Sequence, residues 1–154
     1  MLFRSVNSLN NYIVKNDRVQ RFEINGHNAM LLTSKHENSI SYNQSLLYVV
    51  RENKPCTVVI IVDAVSRKYF TSETSWLWDI DFELLQSNCV KKIILAGKYV
   101  HDLVTRFKFA GINMEKVVAK ENLDDMMSEV KEKSDGDIYV ITCFSDRMKF
   151  LDRR

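Results

Sequence analysis

The chain of 154 residues predicts an α/β domain in three layers, with helices covering a mostly parallel sheet entered through an antiparallel hairpin. Three observations carry this. Thr57–Val62 is a continuous β-branched run, and Lys92–Gly97 holds a second apolar run at its centre; both read as strands buried on two faces. Segments with helical spacing alternate with such runs. Near the start, Asn25-Gly26 lies between two short strand-like stretches, and that dipeptide suits the positive backbone angles of a tight hairpin turn.

Residues 1–16 are expected to be a lead-in, and 17–154 the domain. Arg21–Ile24 and Ala29–Thr33 form the hairpin. Tyr42, Leu46, Leu47 and Val50 lie on one face of a helix that Ser41 is placed to cap and Pro55 to end. After the strand Thr57–Val62 comes a polar stretch with two tryptophans, then the strand Lys92–Gly97. Val100, Leu103, Val104 and Phe107 mark a helix closed by Gly111. Lys116–Ala119 is a short strand, and Leu123, Met126, Met127 and Val130 stripe the next helix. Asp137–Thr142 is the last strand, and Met148–Leu151 a terminal helical turn. The sum is a Rossmann-like architecture.

Composition excludes several classes. An apolar share of 45% and a charged share of 27% fit a globular domain. The formal charge of +2 comes from 22 basic and 20 acidic residues, without the concentrated basic face that phosphate contacts need, so no nucleic-acid partner is expected. No stretch nears the roughly 20 apolar residues that cross a bilayer, and none at the start resembles a signal peptide, so the cytoplasm is the expected compartment and no membrane insertion is expected. Cys56, Cys89 and Cys143 lack metal-site spacing and read as buried reduced thiols. His27, His36 and His101 read as surface residues. The four glycines, Gly26, Gly97, Gly111 and Gly136, fit neither a phosphate loop nor a dinucleotide fingerprint.

Open α/β sheets bind ligands at the carboxyl ends of their strands. Asp63, Lys98 and Ser145 are the polar candidates there for a small molecule, although nothing specifies one. More informative is Thr71–Glu83, where Trp76 and Trp78 sit among Glu73, Asp79, Asp81 and Glu83. In a strand the two indoles would share a face. Such tryptophans serve either as core anchors or as interface hot spots, and both readings stand.

Ser75-Trp76-Leu77-Trp78-Asp79-Ile80-Asp81-Phe82-Glu83 resembles the SW(L/I)WDxDFE element in the C-terminal domain of MurT-type Mur ligases. Arg21–Gly26 resembles the opening hairpin of that domain, Gly97–Ile112 its G-x-R-x-x-D-M-x-x-R-L-K-Y-A-G block, and Gly136–Ile141 its last strand, all in the same order. The resemblance implies the Mur ligase C-terminal fold. It also implies a link to amidation of the D-isoglutamate carboxyl of lipid II, and a GatD-like glutaminase as partner. In that family an acid before the tryptophans assists the partner's Cys-His pair. Glu73 is the matching position, and Trp76, Trp78, Asp79 and Asp81 would shape the interface.

The departures are specific. The family's DGxDxSW reads Phe70–Trp76 here, with the first acid lost and Glu73 at the second. KNPAGFN aligns with Lys35–Asn43 only through an insertion, without its proline and glycine. The family's ATPase domain has no counterpart. The expectation is therefore a stand-alone, non-catalytic docking module that carries no cofactor. The alternatives are a subunit or fragment of an amidating synthase, with ATP and Mg held by a separate Mur-type ATPase chain, and a small-molecule-binding domain.

Overall fold

A computed structural model describes residues 18–35, 38–65 and 73–154. The lead-in 1–16 lies outside the described residues, as do His36, Thr71 and Ser72. The hairpin strands are β1 (Val19–Ile24) and β2 (His27–Ser34), joined by Asn25 (φ 47°) and Gly26 (φ 82°). Two successive positive φ values match the right-handed twist of the flanking strands, and an asparagine-glycine pair accepts them at little cost.

Helix α1 spans Ser39–Glu52, followed by β3 (Cys56–Ile61), β4 (Val90–Ala96), α2 (Val100–Phe109), β5 (Val117–Lys120), α3 (Leu123–Lys133), β6 (Asp137–Cys143) and α4 (Phe144–Leu151). Short 3-10 turns occupy Ser75–Asp79, Phe82–Gln86 and Met114–Lys116. The sheet order is β1-β2-β6-β3-β4-β5; β1 runs antiparallel to β2, and every other pair is parallel. The last strand therefore inserts into the middle of the sheet.

Alternation along the strands sorts the core into two layers. Val58, Ile60, Ile93, Leu95, Tyr139 and Ile141 face α1 and α2, which contribute Tyr42, Leu46, Val49, Leu103 and Phe107. Val59, Ile61, Ile94, Ile138 and Val140 face α3 and α4, which contribute Met126, Val130 and Phe150. The three-layer, mostly parallel fold expected from the sequence is the one observed.

Four local details differ. Asn38, not Ser41, caps α1: its side-chain oxygen accepts the Ser41 N–H at 3.0 Å, and the Ser41 hydroxyl donates to Ser34 Oγ. The helix stops at Asn53 (φ 49°), ahead of Pro55. Its buried face uses Val49 rather than Val50, because the 3.6-residue period places 42, 46 and 49 in line. The terminal turn is a two-turn helix, α4, which begins directly after β6 and turns Asp146 and Phe150 inward.

Candidate functional site

The carboxyl ends of the parallel strands meet on one edge. The chain leaves β3 toward the α1/α2 layer, where its 3-10 turns pack, and leaves β6 into α4 on the opposite face. Such a divergence opens a crevice between neighbouring strands, the usual ligand position in open α/β sheets. Here Asp146 fills it. Its fully buried carboxylate accepts the backbone N–H groups of Asp63 (2.8 Å) and Ala64 (3.0 Å), and Lys149 Nζ donates to its other oxygen at 3.0 Å.

Lys149 also donates to Asp63, whose other carboxylate oxygen accepts the Lys98 N–H at 2.9 Å. Burial alone would raise the Asp63 pKa, but these two donors outweigh it and hold the carboxyl below its ordinary value. Burial likewise works against the Lys149 charge, and Asp63 and Asp146 more than offset it, so its pKa is raised. Of the candidate small-molecule contacts, the structure brings Asp63 to the Lys98 backbone and leaves the Lys98 side chain exposed over an open cleft of about 390 Å³, shared with Glu121 and Asn122. Ser145 Oγ lies 3.4 Å from Cys143 Sγ.

Gly97 ends β4 at φ 102°, and a Cβ there would come within 2.6 Å of the Val62 carbonyl oxygen. This glycine lets the α2 N-terminus close on the β3 exit, where Tyr99 N–H donates to Val62 O at 3.1 Å.

The tryptophan segment is a 3-10 turn rather than a strand, so its two indoles do not share a face. Trp76 is 9% exposed and packs on Tyr42 with ring centroids 5.4 Å apart. Of the two readings of this tryptophan, the burial favours the core anchor. Trp78 is 52% exposed, and its ring meets the edge of Phe109 at 5.3 Å. Leu77, Ile80, Phe82 and Leu85 turn inward and seat the whole segment between α1 and α2.

Arg106 of α2 fixes this turn. Its buried guanidinium donates to the carbonyls of Leu77 (3.3 Å) and Ile80 (2.7 Å), engages both oxygens of Glu83, and lies 5.6 Å from the ring centroids of both Trp78 and Phe82. The Arg106 guanidinium in turn holds the Glu83 carboxyl below its ordinary pKa. From the other side, Asn43 of α1 donates to the Asp81 carboxylate at 3.1 Å and accepts the Asp81 N–H at 2.8 Å. Asp81 thus has an internal structural partner as well as an exposed face. Asp79 is exposed.

Glu73 opens the turn and is exposed, with Ser75 Oγ donating to its Oε1 at 2.5 Å; the next residue, Thr74, donates to Asp102 of α2 at 2.8 Å. A carboxylate anchored beside its own turn and open to solvent can accept a hydrogen bond from an incoming imidazole.

Sequence reasoning missed Arg106, Asn43 and Lys149. Arg106 had a readable signal, since it is the one charged residue whose helical position falls beside Leu103 and Phe107 on the apolar stripe.

Other chemistries find little support among the described residues. All three cysteines are free and buried; burial pushes Cys56 up to about 12 and Cys143 up to about 11, far from thiolate formation near neutral pH. His27 bonds the Gly136 carbonyl at 2.7 Å, tying the hairpin to the start of β6, and His101 is exposed. No three His, Cys, Asp or Glu side chains among the described residues converge as metal ligands, and no helix among them is long and apolar enough to cross a membrane.

Comparisons with known proteins point to one family. Residues 36–146 match the family described as MurT ligase C-terminal. The chain is 28% identical over 115 residues to the MurT subunit of the glutamine-hydrolyzing lipid II isoglutaminyl synthase of Staphylococcus aureus strain COL, covering 75% of this chain and 25% of that one. It is 22% identical over 80 residues to the corresponding subunit of Streptococcus pneumoniae, covering 52% and 18%. The chain therefore spans a quarter or less of these relatives in the matched regions. Among solved structures, MurF of Acinetobacter baumannii superposes with a TM-score of 0.56 at 11% identity, covering 88% of this chain and 30% of that one. MurC, the UDP-N-acetylmuramate-alanine ligase of Thermotoga maritima, gives a TM-score of 0.50 at 12% identity, covering 84% and 27%. These two establish likeness of fold.

Proposed function

The chain belongs to the MurT ligase C-terminal family, and from that premise we propose that it is a non-catalytic module that docks a GatD-like glutaminase in the amidation of a peptidoglycan precursor, in the cytoplasm. The observation that carries this reading is the division of labour in the tryptophan turn. Trp76 roots it in the core, Arg106 locks it, Trp78 faces outward from it, and Glu73 is exposed just ahead of it, bonded to the Ser75 hydroxyl. A preorganised turn with an exposed indole suits an interface, since little side-chain entropy remains to be lost on docking. Glu73 stands where a partner histidine could be oriented and its charged form stabilised.

In this reading the chain holds no nucleotide of its own. None of the four glycines belongs to a phosphate loop, and the carboxylate at the sheet switch point is already saturated by Asp63, Ala64 and Lys149. No step of the proposal runs through ATP or a metal in this chain.

Co-expression with a GatD-like glutaminase tests the reading. A stable complex is expected, with glutaminase turnover that falls at least about tenfold in Glu73→Gln. A chain that stays monomeric beside the glutaminase would remove the docking reading, and unchanged turnover in the variant would remove the role of Glu73 alone.

A second reading is favoured by the share of the relatives' length that is matched, 25% and 18%. The chain would then be one part of a synthase whose ATP- and Mg-binding Mur-type ATPase lies elsewhere. Glutamine-dependent amidation restored on mixing the two parts distinguishes this reading from the first.

A further inference from the structure

Trp78 and Phe109 come from different elements, the 3-10 turn and the last turn of α2, yet their rings meet at 5.3 Å and stay 52% and 74% exposed. We infer that they form one aromatic knob, flanked by Asp79 and by Asp102 on the same exposed α2 face, that seats in an apolar hollow bordered by lysine and arginine side chains on a partner protein. This rests on the docking reading above and extends it from the tryptophan turn onto α2.

Paired exposed aromatics on rigid supports are the usual anchors of protein interfaces. The supports here are rigid, because Arg106 lies against Trp78 and is itself tied to Leu77, Ile80 and Glu83. Phe109 extends the patch along the exposed α2 face that also bears Asp102 and Thr105.

Charge identifies the kind of partner. Glu73, Asp79, Asp81 and Glu83 lie in a stretch with no lysine or arginine, inside a chain whose net formal charge is +2. Asp102 joins them through Thr74; Arg106 behind Trp78 is matched by Glu83, which leaves Glu73, Asp79, Asp81 and Asp102 against Lys108 beside Phe109. An acidic rim steers and orients a basic counterpart. It also disfavours a symmetric dimer through this face, since such a contact would set the same carboxylates against each other. A second copy would have to bind head to tail, and a groove lined by Arg18, Arg21, Met30 and Tyr48 is a basic candidate for it.

The test titrates the full chain with the purified glutaminase subunit of the Staphylococcus aureus synthase, using the wild type, Phe109→Ser and Asp79→Lys. Phe109→Ser is expected to weaken binding at least about tenfold with an unchanged urea midpoint, and Asp79→Lys to weaken it several-fold with a shallower salt dependence. If the wild type binds and Phe109→Ser binds equally well, the knob is overturned while docking stands. If the wild type does not bind, the docking reading falls and the knob falls with it. Concentration-dependent self-association abolished by Phe109→Ser would make the occupant a second copy and overturn the heterologous partner.

Discussion

Arg106 grips Glu83 with both terminal nitrogens, Nη1 to Oε1 and Nη2 to Oε2, each at 2.9 Å, while the same guanidinium reaches the carbonyls of Leu77 and Ile80. The four contacts differ in weight. The Glu83 side chain is 50% exposed, so water screens that pair, whereas the carbonyl contacts are buried. Arg106→Met keeps much of the apolar length but takes the charged donor away from two buried carbonyls, leaving Leu77 O only the Ile80 N–H at 3.4 Å and Ile80 O only the Phe82 N–H at 2.9 Å. It is expected to cost about 2–4 kcal/mol in urea unfolding. Glu83→Gln should cost less than about 1 kcal/mol. Equal losses in the two variants would show that the ion pair, not the carbonyl tether, holds the turn.

The Tyr42 hydroxyl and the Trp76 indole nitrogen are both buried without a hydrogen-bond partner. Burial, reinforced by Cys143 and Asp146, pushes the Tyr42 phenol well above its ordinary pKa, so it stays neutral. Tyr42→Phe removes an unsatisfied polar group at almost constant shape. It should be neutral or stabilise by up to about 1 kcal/mol. Trp76→Ala, by contrast, empties a large volume between α1 and the turn and should cost about 3–5 kcal/mol. Thermal unfolding of the two variants checks the contrast.

Much of the fold could be read from local pattern. The β-branched run of β3, the Asn25-Gly26 turn and the α3 stripe of Leu123, Met126, Met127 and Val130 each carry their periodicity in adjacent residues. Strand order could not be read that way. The insertion of β6 between β2 and β3 depends on pairings such as Leu32 with Ile141 and Val59 with Val140, across sequence separations that no local period encodes. The candidate site divided likewise. The tryptophan segment declared itself by composition, but the opposite fates of its two indoles followed from a 3-10 turn that alternation cannot anticipate. The tethers that set that turn, Asn43 to Asp81 and Arg106 to Ile80, join residues 38 and 26 positions apart.

Gly97 illustrates a close approach that fixes the edge of the site. A Cβ at this position would lie 2.6 Å from Val62 O and 2.9 Å from Asp63 N, and φ is 102°. Both contacts are backbone atoms, which cannot swing aside as a flexible side chain would. Gly97→Ala should destabilise by more than about 2 kcal/mol, through strain and through displacement of the Asp63 loop. Circular dichroism melts, with Gly26→Ala as a comparison in open space, separate the steric part from the positive-φ part, since nothing lies within 4 Å of a Cβ at Gly26.

The Asp63–Lys149 pair gives the carboxyl edge a pH signature of definite sign. The folded-state pKa of Asp63 is depressed, so its contribution is present above the unfolded value near ~3.9 and is lost as pH falls through the depressed value. The pKa of Lys149 is raised, so its contribution is present below the unfolded value near ~10.4 and is lost as pH rises through the raised value. Between roughly pH 4 and pH 10 the pair therefore contributes a plateau, with a shoulder on each side. The Lys149 side chain is 37% exposed, which limits the plateau to about 1 kcal/mol or less. Asp63→Asn should remove the Asp63 part of the acid shoulder and lower the plateau, because the Lys98 N–H still finds an oxygen but Lys149 loses one carboxylate. Urea midpoints measured at intervals from pH 3 to pH 11, for wild type and variant, read this directly. A variant curve parallel to wild type below pH 4 would show that Asp63 is not the titrating group of this edge.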